Sequence, residues 1–240
     1  DHWEMKTPAN ITVDDFPLTL YQPIMALFGD PLTKIQISFK YQPIRKFRLF
    51  IGYTQTMFWE LLKDSKPFLD LNYNPEVFYA FQPKWGILRN INIGYEHKSN
   101  GKDGDDSRTY DSFFVKFVLG QVFYKSVVGA IIKLAYYGNF EDTNSDLRDY
   151  MGFWKIEAFA VRGFTSGFIN RVALFVSIFA GGKWGHDFSK GGQDIMLAIQ
   201  FRILKTSPYM IAQYYHGYNE YLLDYDKEQS HFRFGILYYY

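Results

Sequence analysis

The sequence predicts an all-β fold, a twelve-stranded antiparallel β-barrel that crosses a membrane. Two observations lead to this fold class. Apolar and polar residues alternate along stretches of about ten residues, which is the pattern of a strand with one apolar face. The stretches are joined alternately by short turns and by longer loops rich in Asp, Gly, Lys and Asn, as in barrels that cross a membrane.

The composition supports this fold class by excluding others. The chain has 240 residues with 26 Lys and Arg against 25 Asp and Glu, so its net charge of +1 gives no reason to expect a nucleic-acid partner. It has no cysteine, which excludes disulfide scaffolds, thiolate metal sites and cysteine nucleophiles. No apolar run approaches the roughly 18 residues of a membrane helix. Aromatic residues make up 20% of the chain, which is unusually high.

The strands follow one another along the chain, and the clearest is 33–41, with apolar residues at odd positions and polar residues at even ones. The first is the weakest, because Pro23 lies inside it. The predicted strands are 19–28, 33–41, 47–59, 73–81, 85–99, one through 107–117, 124–136, 150–160, 168–180, 193–203, 209–216 and 232–240. The predicted short turns are 42–46, 82–84, 119–123, 162–167 and 204–207, and the predicted long loops are 60–72, 98–108, 139–149, 181–192 and 217–230.

Two types of barrel fit these strands. A soluble up-and-down barrel would point its apolar face inward. The polar face carries long side chains of both signs, such as Lys34, Glu157 and Arg233, which suit a hydrated or ion-paired lumen. Aromatic residues such as Trp59 and Trp184 gather at strand ends, where a membrane barrel has its aromatic girdles. The membrane barrel is therefore predicted, with 1–18 as an N-terminal segment and 19–240 as a single barrel domain.

Polar residues cluster in the apolar row at the adjoining ends of two strands. In the strand 85–99 the outer row ends with His97 and Ser99, and the next strand brings Asp111 to the same face. These are the residue types of a nucleophilic triad, with Ser99 as nucleophile, His97 as general base and acid, and Asp111 orienting the imidazole. The alternative is that these polar residues only mark the ends of two strands.

Residues 95–102 (Tyr-Glu-His-Lys-Ser-Asn-Gly-Lys) followed by 107–111 (Ser-Arg-Thr-Tyr-Asp) resemble the signature of the outer-membrane phospholipase A family. Further agreement lies at 53–55, 67–68, 72–75 and 223–225, so the resemblance runs from about Pro17 to Tyr240. It implies a barrel in the bacterial outer membrane, with short periplasmic turns, extracellular loops and an active site at the outer leaflet. The implied activity is calcium-dependent hydrolysis of acyl esters in glycerophospholipids and lysophospholipids, by a homodimer. A non-enzymatic barrel, a porin or a structural protein, is the alternative.

Position 111 departs from the pattern, because the family typically has Asn there and this chain has Asp111. A carboxylate favours the protonated form of His97 more than a neutral amide does, so a shifted pH optimum is expected. The orienting hydrogen bond is retained, and activity is expected to survive.

The resemblance also implies a calcium site in the loop 98–108, formed by the carbonyl of Lys102 and the hydroxyl of Ser107, with the carbonyl of Ser65 supplied by a second subunit. The amide of Gly101 would help to stabilise the oxyanion. Asp105 and Asp106 would add ligands or only negative charge. A solvated acidic loop without a metal is the alternative, because the spacing does not fit an EF-hand.

Gln55 stands in the apolar outer row of the strand 47–59, where an amide needs a partner. Pairing of two apolar faces around Gln55 would provide one, and the resemblance implies such a dimer. The alternative is that Gln55 lies near enough to the strand end to reach lipid headgroups.

Overall fold

The computed structural model describes residues 17–44, 46–203 and 208–238. The predicted N-terminal segment therefore lies outside the described residues up to position 16. The described residues form one antiparallel sheet. Its strands are β1 (Leu18–Leu20), β2 (Ile24–Phe28), β3 (Thr33–Tyr41), β4 (Leu49–Trp59), β5 (Phe68–Phe81), β6 (Leu88–Ser99), β7 (Thr109–Phe123), β8 (Ser126–Gly138), β9 (Trp154–Gly163), β10 (Ile169–Gly181), β11 (Asp187–Phe201), β12 (Tyr209–Gly217) and β13 (Gln229–Tyr238).

The sheet closes into a barrel because β13 pairs with β2, and each strand from β2 onward pairs with the next. Both β1 and β2 lie against β3, with Leu18 opposite Tyr41 and Met25 opposite Gln36. They are two halves of one barrel strand, interrupted near Pro23, which has no N–H to donate to the sheet. The prediction of a twelve-stranded antiparallel barrel with a weak first strand is confirmed.

The apolar residues of the barrel face outward. In β3, Lys34 and Lys40 are buried in the lumen, whereas Ile37 and Phe39 are 40% and 41% exposed on the outside. This is the reverse of a soluble protein, in which the apolar face of a strand is buried. The soluble up-and-down barrel is therefore excluded in favour of the type that crosses a membrane.

Several charged side chains in the lumen form ion pairs, because buried charges are tolerated only when they are paired. Lys116 Nζ lies 2.9 Å from Glu76 Oε2, and Lys133 pairs with Glu96. The segment 218–228, between β12 and β13, folds across one mouth of the barrel and inserts Glu220. Its carboxylate binds Arg233 and His231, each at 2.6 Å.

The Glu220 carboxylate is stabilised by its neighbours. Burial alone would raise its pKa, but the charges of Lys34 and Arg233 and the hydrogen bond from His231 hold the pKa well below its usual range. Neighbouring Leu222 and Leu223 donate backbone N–H groups to side chains of β5. This loop therefore closes part of the lumen from one rim.

Several strands are longer than the sequence predicted. The predicted loops 60–72 and 181–192 are shorter, because β5 already begins at Phe68 and β11 at Asp187. The predicted turn 119–123 is also wrong: β7 continues to Phe123. Polar and glycine residues occur in these extensions and hide the alternation. At Gly191 a Cβ would lie 2.2 Å from the carbonyl oxygen of Phe179, so the strands approach too closely for any other residue.

The helical residues of the described ranges form short 3₁₀ helices at Gly104–Asp106, Asp142–Asn144 and Leu147–Tyr150. No helix within these ranges is long and apolar enough to cross a membrane. All three lie on the long-loop rim, two of them in the connection between β8 and β9.

Candidate active site

The predicted triad residues lie side by side on the outer face of β6 and β7. The register places His97 opposite Asp111 and Ser99 opposite Thr109. Their neighbours Glu96, Ser112 and Asn100 are buried, so the alternation turns the three candidate residues away from the lumen. The side chains of His97 and Asp111 are 42% and 19% exposed. The structure thus brings the His97 imidazole and the Asp111 carboxylate together, with Ser99 two residues further along β6.

His97 and Asp111 are joined by a hydrogen bond, with 2.8 Å between Nδ1 and Oδ1. An ionised carboxylate only accepts, so Nδ1 carries the proton and donates it. The other ring nitrogen, Nε2, is then unprotonated in the neutral imidazole and is available as a base. This is the orientation that the prediction for Asp111 required.

Asp111 has a further donor that the sequence reading missed. Asn139 Nδ2 donates to Oδ2 at 2.6 Å. Asn139 follows the end of β8, whose Gly138 is opposite Asp111. It adopts φ +53°, a left-handed conformation that Asn tolerates better than most residues. An Asn directly after a strand end was the available signal, but its pairing with Asp111 depends on the register.

Ser99 lies next to a backbone donor. The N–H of Gly101 donates to Ser99 Oγ at 3.1 Å. Gly101 has φ +66°, and a Cβ there would lie 2.9 Å from the ring of Tyr73. Only glycine suits both conditions. The geometry places an N–H beside the Ser99 hydroxyl, which is the arrangement that the predicted role of Gly101 requires.

The loop 100–108 is organised by the buried side chain of Asn100, which sequence reasoning gave no role. Its Nδ2 donates to the carbonyl oxygen of Asp106 at 2.9 Å, and its Oδ1 accepts from the N–H of Arg108 at 3.0 Å. Arg108 Nη1 in turn donates to the carbonyl oxygens of Asp105 and Ser107 at 2.6 and 2.8 Å. The loop is thereby fixed at both ends beside Ser99.

The oxygen atoms predicted to bind calcium fit a hard cation. The carbonyl of Lys102 and the hydroxyl of Ser107 accept or donate no hydrogen bond within the described part of the chain. The carboxylates of Asp105 and Asp106 are exposed nearby. All four are oxygen donors, which calcium prefers. No group of three Asp, Glu or His side chains suited to a metal occurs among the described residues, so carbonyl and hydroxyl ligands would be needed.

Ser65 and Gln55 are the two residues with predicted roles in a dimer. Ser65 is exposed in the β4–β5 connection, on the rim that also carries the loop 100–108. Gln55 is opposite Tyr73, and Tyr73 is opposite Ser99, so the three form one row across β4, β5 and β6. The Gln55 amide oxygen accepts a hydrogen bond from Tyr53 Oη at 3.1 Å, so this half of the amide finds its partner within the chain. Its nitrogen has no partner in residues 17–44, 46–203 or 208–238.

Comparison with known sequences identifies a family that this chain matches. A family model described as phospholipase A1 matches residues 30–238. A phospholipase A1 of Klebsiella pneumoniae is 28% identical over 198 residues, which cover 78% of this chain and 61% of the relative. The chain therefore spans about three fifths of the length of that relative.

Solved structures show the same fold. The outer membrane phospholipase A of Escherichia coli superposes with a TM-score of 0.76 at 22% identity, covering 94% of this chain and 93% of the other. A Salmonella typhi outer membrane phospholipase, described as a dimer with bound calcium, gives a TM-score of 0.75 at 22% identity and covers 95% and 94%. These likenesses establish the barrel architecture.

Proposed function

Because the chain belongs to the phospholipase A1 family, we propose that it is a calcium-dependent phospholipase A of the bacterial outer membrane. It hydrolyses acyl ester bonds of glycerophospholipids and lysophospholipids. The observation that carries this proposal is the 2.8 Å hydrogen bond between His97 and Asp111 beside Ser99, on the outer and not the luminal face. A site on this face meets lipid esters directly.

The residues of the site act in two steps. His97 Nε2 takes the proton of Ser99 as Oγ attacks the acyl carbonyl carbon, giving a tetrahedral intermediate. His97 returns the proton to the glycerol oxygen, the C–O ester bond breaks, and the acyl group stays on Ser99. Water, deprotonated by His97, then attacks the acyl-enzyme and releases the fatty acid and free Ser99. Asp111 stabilises the imidazolium in both steps.

The oxyanion needs donors near Ser99. The N–H of Gly101, already 3.1 Å from Oγ, is one of them. Bound calcium would supply a positive charge that polarises neighbouring waters towards the developing negative oxygen. The Lys102 carbonyl and the Ser107 hydroxyl would hold it, with Asp105 or Asp106 adding charge and Ser65 of the partner subunit completing the site.

The active form is proposed to be a homodimer that pairs the outer faces of β3 to β5. Ile37 is directly opposite Gln55 in the register, and Ile51 lies four residues before Gln55 on β4; both are exposed on this face, at 40% and 48%. A second Gln55 would offer an oxygen to the Gln55 amide nitrogen, which has no partner among the residues that the structure describes. The relative from Salmonella typhi is described as a calcium-bound dimer, which supports both parts of the proposal.

The alternative of a porin is disfavoured by the lumen, where Lys116, Lys133 and Arg233 pair with buried carboxylates. A porin would conduct ions steadily in a planar bilayer. Lipolysis without conductance would support the enzyme.

The deciding experiment is fatty-acid release from phosphatidylcholine in mixed micelles by the refolded chain, with calcium and with excess chelator. Ser99→Ala is the matched control, because the hydroxyl is removed without changing the strand. Release that requires both calcium and Ser99 supports the proposal. A folded, calcium-supplied barrel that releases nothing contradicts it.

A further inference from the structure

An apolar groove lies on the outer wall beside the row that carries His97 and Asp111. Its volume is about 560 Å³, within the range of about 300–1,000 Å³ of ligand pockets. Its floor is formed by outward residues of β7 and β8, including Phe113 and Leu134. Its far wall is formed by Phe153 and Trp184 from the loops that follow β8 and β10.

The strand register gives the position of the groove relative to His97, Ser99 and Asp111. His97, Asp111 and Gly138 form one row across three strands, and Tyr95, Phe113 and Tyr136 form the row immediately below it, towards the short-turn rim. The groove thus begins one step below Asp111. Neighbouring strands are about 4.8 Å apart, so its floor lies roughly 5–10 Å from the strand that carries Ser99.

Two cations stand at the rim end of this apolar groove. Arg148 and Lys183 both line it, and among the described residues that line it there is no carboxylate. Arg148 Nη2 donates to the carbonyl oxygen of Tyr137 at 2.8 Å, and its other N–H groups donate to no oxygen of the described residues. Lys183 Nζ lies 5.6 Å from the ring centroid of Trp184. An apolar slot ended by a positive cluster matches an acyl chain joined to a phosphate.

The far wall is held in place before any ligand binds. Gly182 N–H donates to the carbonyl oxygen of Asp149 at 2.7 Å, and Trp154 Nε1 donates to that of Gly185 at 2.7 Å. At Gly152, where φ is +59°, a Cβ would lie 2.0 Å from the carbonyl oxygen of Ala180. The two loops are therefore locked together, and Lys183 and Trp184 project from a fixed turn.

We propose that this groove is a phospholipid subsite, in which one acyl chain lies along Phe113 and Leu134 while the phosphodiester binds Arg148 and Lys183. The inference rests on the proposed function, because it explains how a two-chain lipid is held with its other ester at Ser99. It assigns a preference for phosphate-bearing lipids to this wall of the barrel. Arg148 and Lys183 are binding residues and take no part in proton transfer.

Binding can be tested without catalysis, because Trp184 lies in the groove. The Ser99→Ala chain in nonionic micelles is titrated with brominated-chain phosphatidylcholine or brominated-chain diacylglycerol. The quenching of Trp184 is taken as the difference from a matched Trp184→Phe variant. We expect phosphatidylcholine to reach half-quenching at a mole fraction about tenfold lower than diacylglycerol does. A factor of about ten corresponds to the contribution of one hydrogen bond to a charged group.

Variants assign this preference to the two cations. Arg148→Gln with Lys183→Gln should abolish it, while Lys227→Gln, a charge removed elsewhere on the same rim, should leave it intact. Equal quenching by both lipids, or a preference that survives the double variant, would overturn the proposal. Lipid A displacing the phosphatidylcholine at lower mole fraction would also overturn it, by assigning the groove to another lipid.

Hydrolysis provides the second readout. With Ser99 intact, the double variant should raise KM for phosphatidylcholine about tenfold relative to KM for a phosphate-free 4-nitrophenyl ester, because only phosphatidylcholine carries the phosphodiester. If the unaltered chain hydrolyses neither substrate, the proposed function fails, while the quenching result still decides whether the groove binds phospholipid.

Discussion

Removing the amide of Asn139 tests how the Asp111 carboxylate is positioned. Asn139→Gly is the best change, because glycine keeps the backbone at φ +53° without strain and deletes only the donor to Oδ2. The bond is charge-assisted and 2.6 Å long, yet Asn139 is exposed. A hydrogen bond to a charged group contributes about 1.5–3 kcal/mol, and exposure places this one at the lower end. We expect kcat to fall about tenfold.

The assay is fatty-acid release from mixed micelles across a range of pH, compared with Asp111→Asn. An ionised Asp111 stabilises the imidazolium, so replacing it with a neutral amide should move the acid limb of the pH–rate profile to lower pH. Asn139→Gly should lower kcat and keep an acid limb near that of the unaltered chain. The swapped pair, Asp111→Asn with Asn139→Asp, keeps a donor–acceptor pair at this place and should recover activity relative to Asn139→Asp alone, in which two carboxylates face each other.

A kcat within twofold of the unaltered chain for Asn139→Gly would refute the positioning role. An unshifted acid limb in Asp111→Asn would refute the electrostatic role of the carboxylate. Asn144 lies in the same connection but is no suitable control position, because its side chain donates to the β7 backbone at Thr109. Folding of every variant is therefore checked by the β-sheet signal in circular dichroism.

Three further outcomes are expected. Gly101→Ala should lower kcat about 100-fold or more with the fold retained, because its Cβ meets the Tyr73 ring and displaces the oxyanion donor; full activity would contradict this. Glu220 has a lowered pKa, so its ion pairs with Arg233 and others stabilise the fold above the usual carboxyl pKa and lose this effect on acidification. Urea unfolding should therefore depend less on pH in Glu220→Gln, and an equal dependence would contradict this. Calcium-dependent crosslinking should weaken in Gln55→Leu, and an undiminished dimer would count against a role for Gln55.

The barrel could be predicted because each strand repeats one simple condition, an apolar residue at every second position. The same alternation fixed the faces of His97, Ser99 and Asp111, and the antiparallel register then joined two of them by a hydrogen bond. The start of β11 was missed because five of its first six residues are polar or glycine. The register with β10 is also irregular in this extension, between the pairs Phe179–Gly192 and Gly181–Asp187.

Asn139 and Arg148 could not be assigned from the sequence for a different physical reason. Both lie in the long connection after β8, where no periodicity relates a residue to its neighbours. Their roles depend on how that connection folds back, through bonds such as that from Arg148 to Tyr137. A loop residue whose partner is set by tertiary folding leaves no local pattern to read.

The donors around Asp111 explain how a carboxylate can stand on the outer face of a barrel at all. An unpaired charge there is costly, and the cost falls only when hydrogen bonds replace the lost water. His97 and Asn139 supply one donor to each of its two oxygens. A neutral Asn at this position would need fewer. Loss of Asn139 should therefore harm the chain with Asp111 more than the chain with Asp111→Asn, and the two changes together should cost less than the sum of their separate effects.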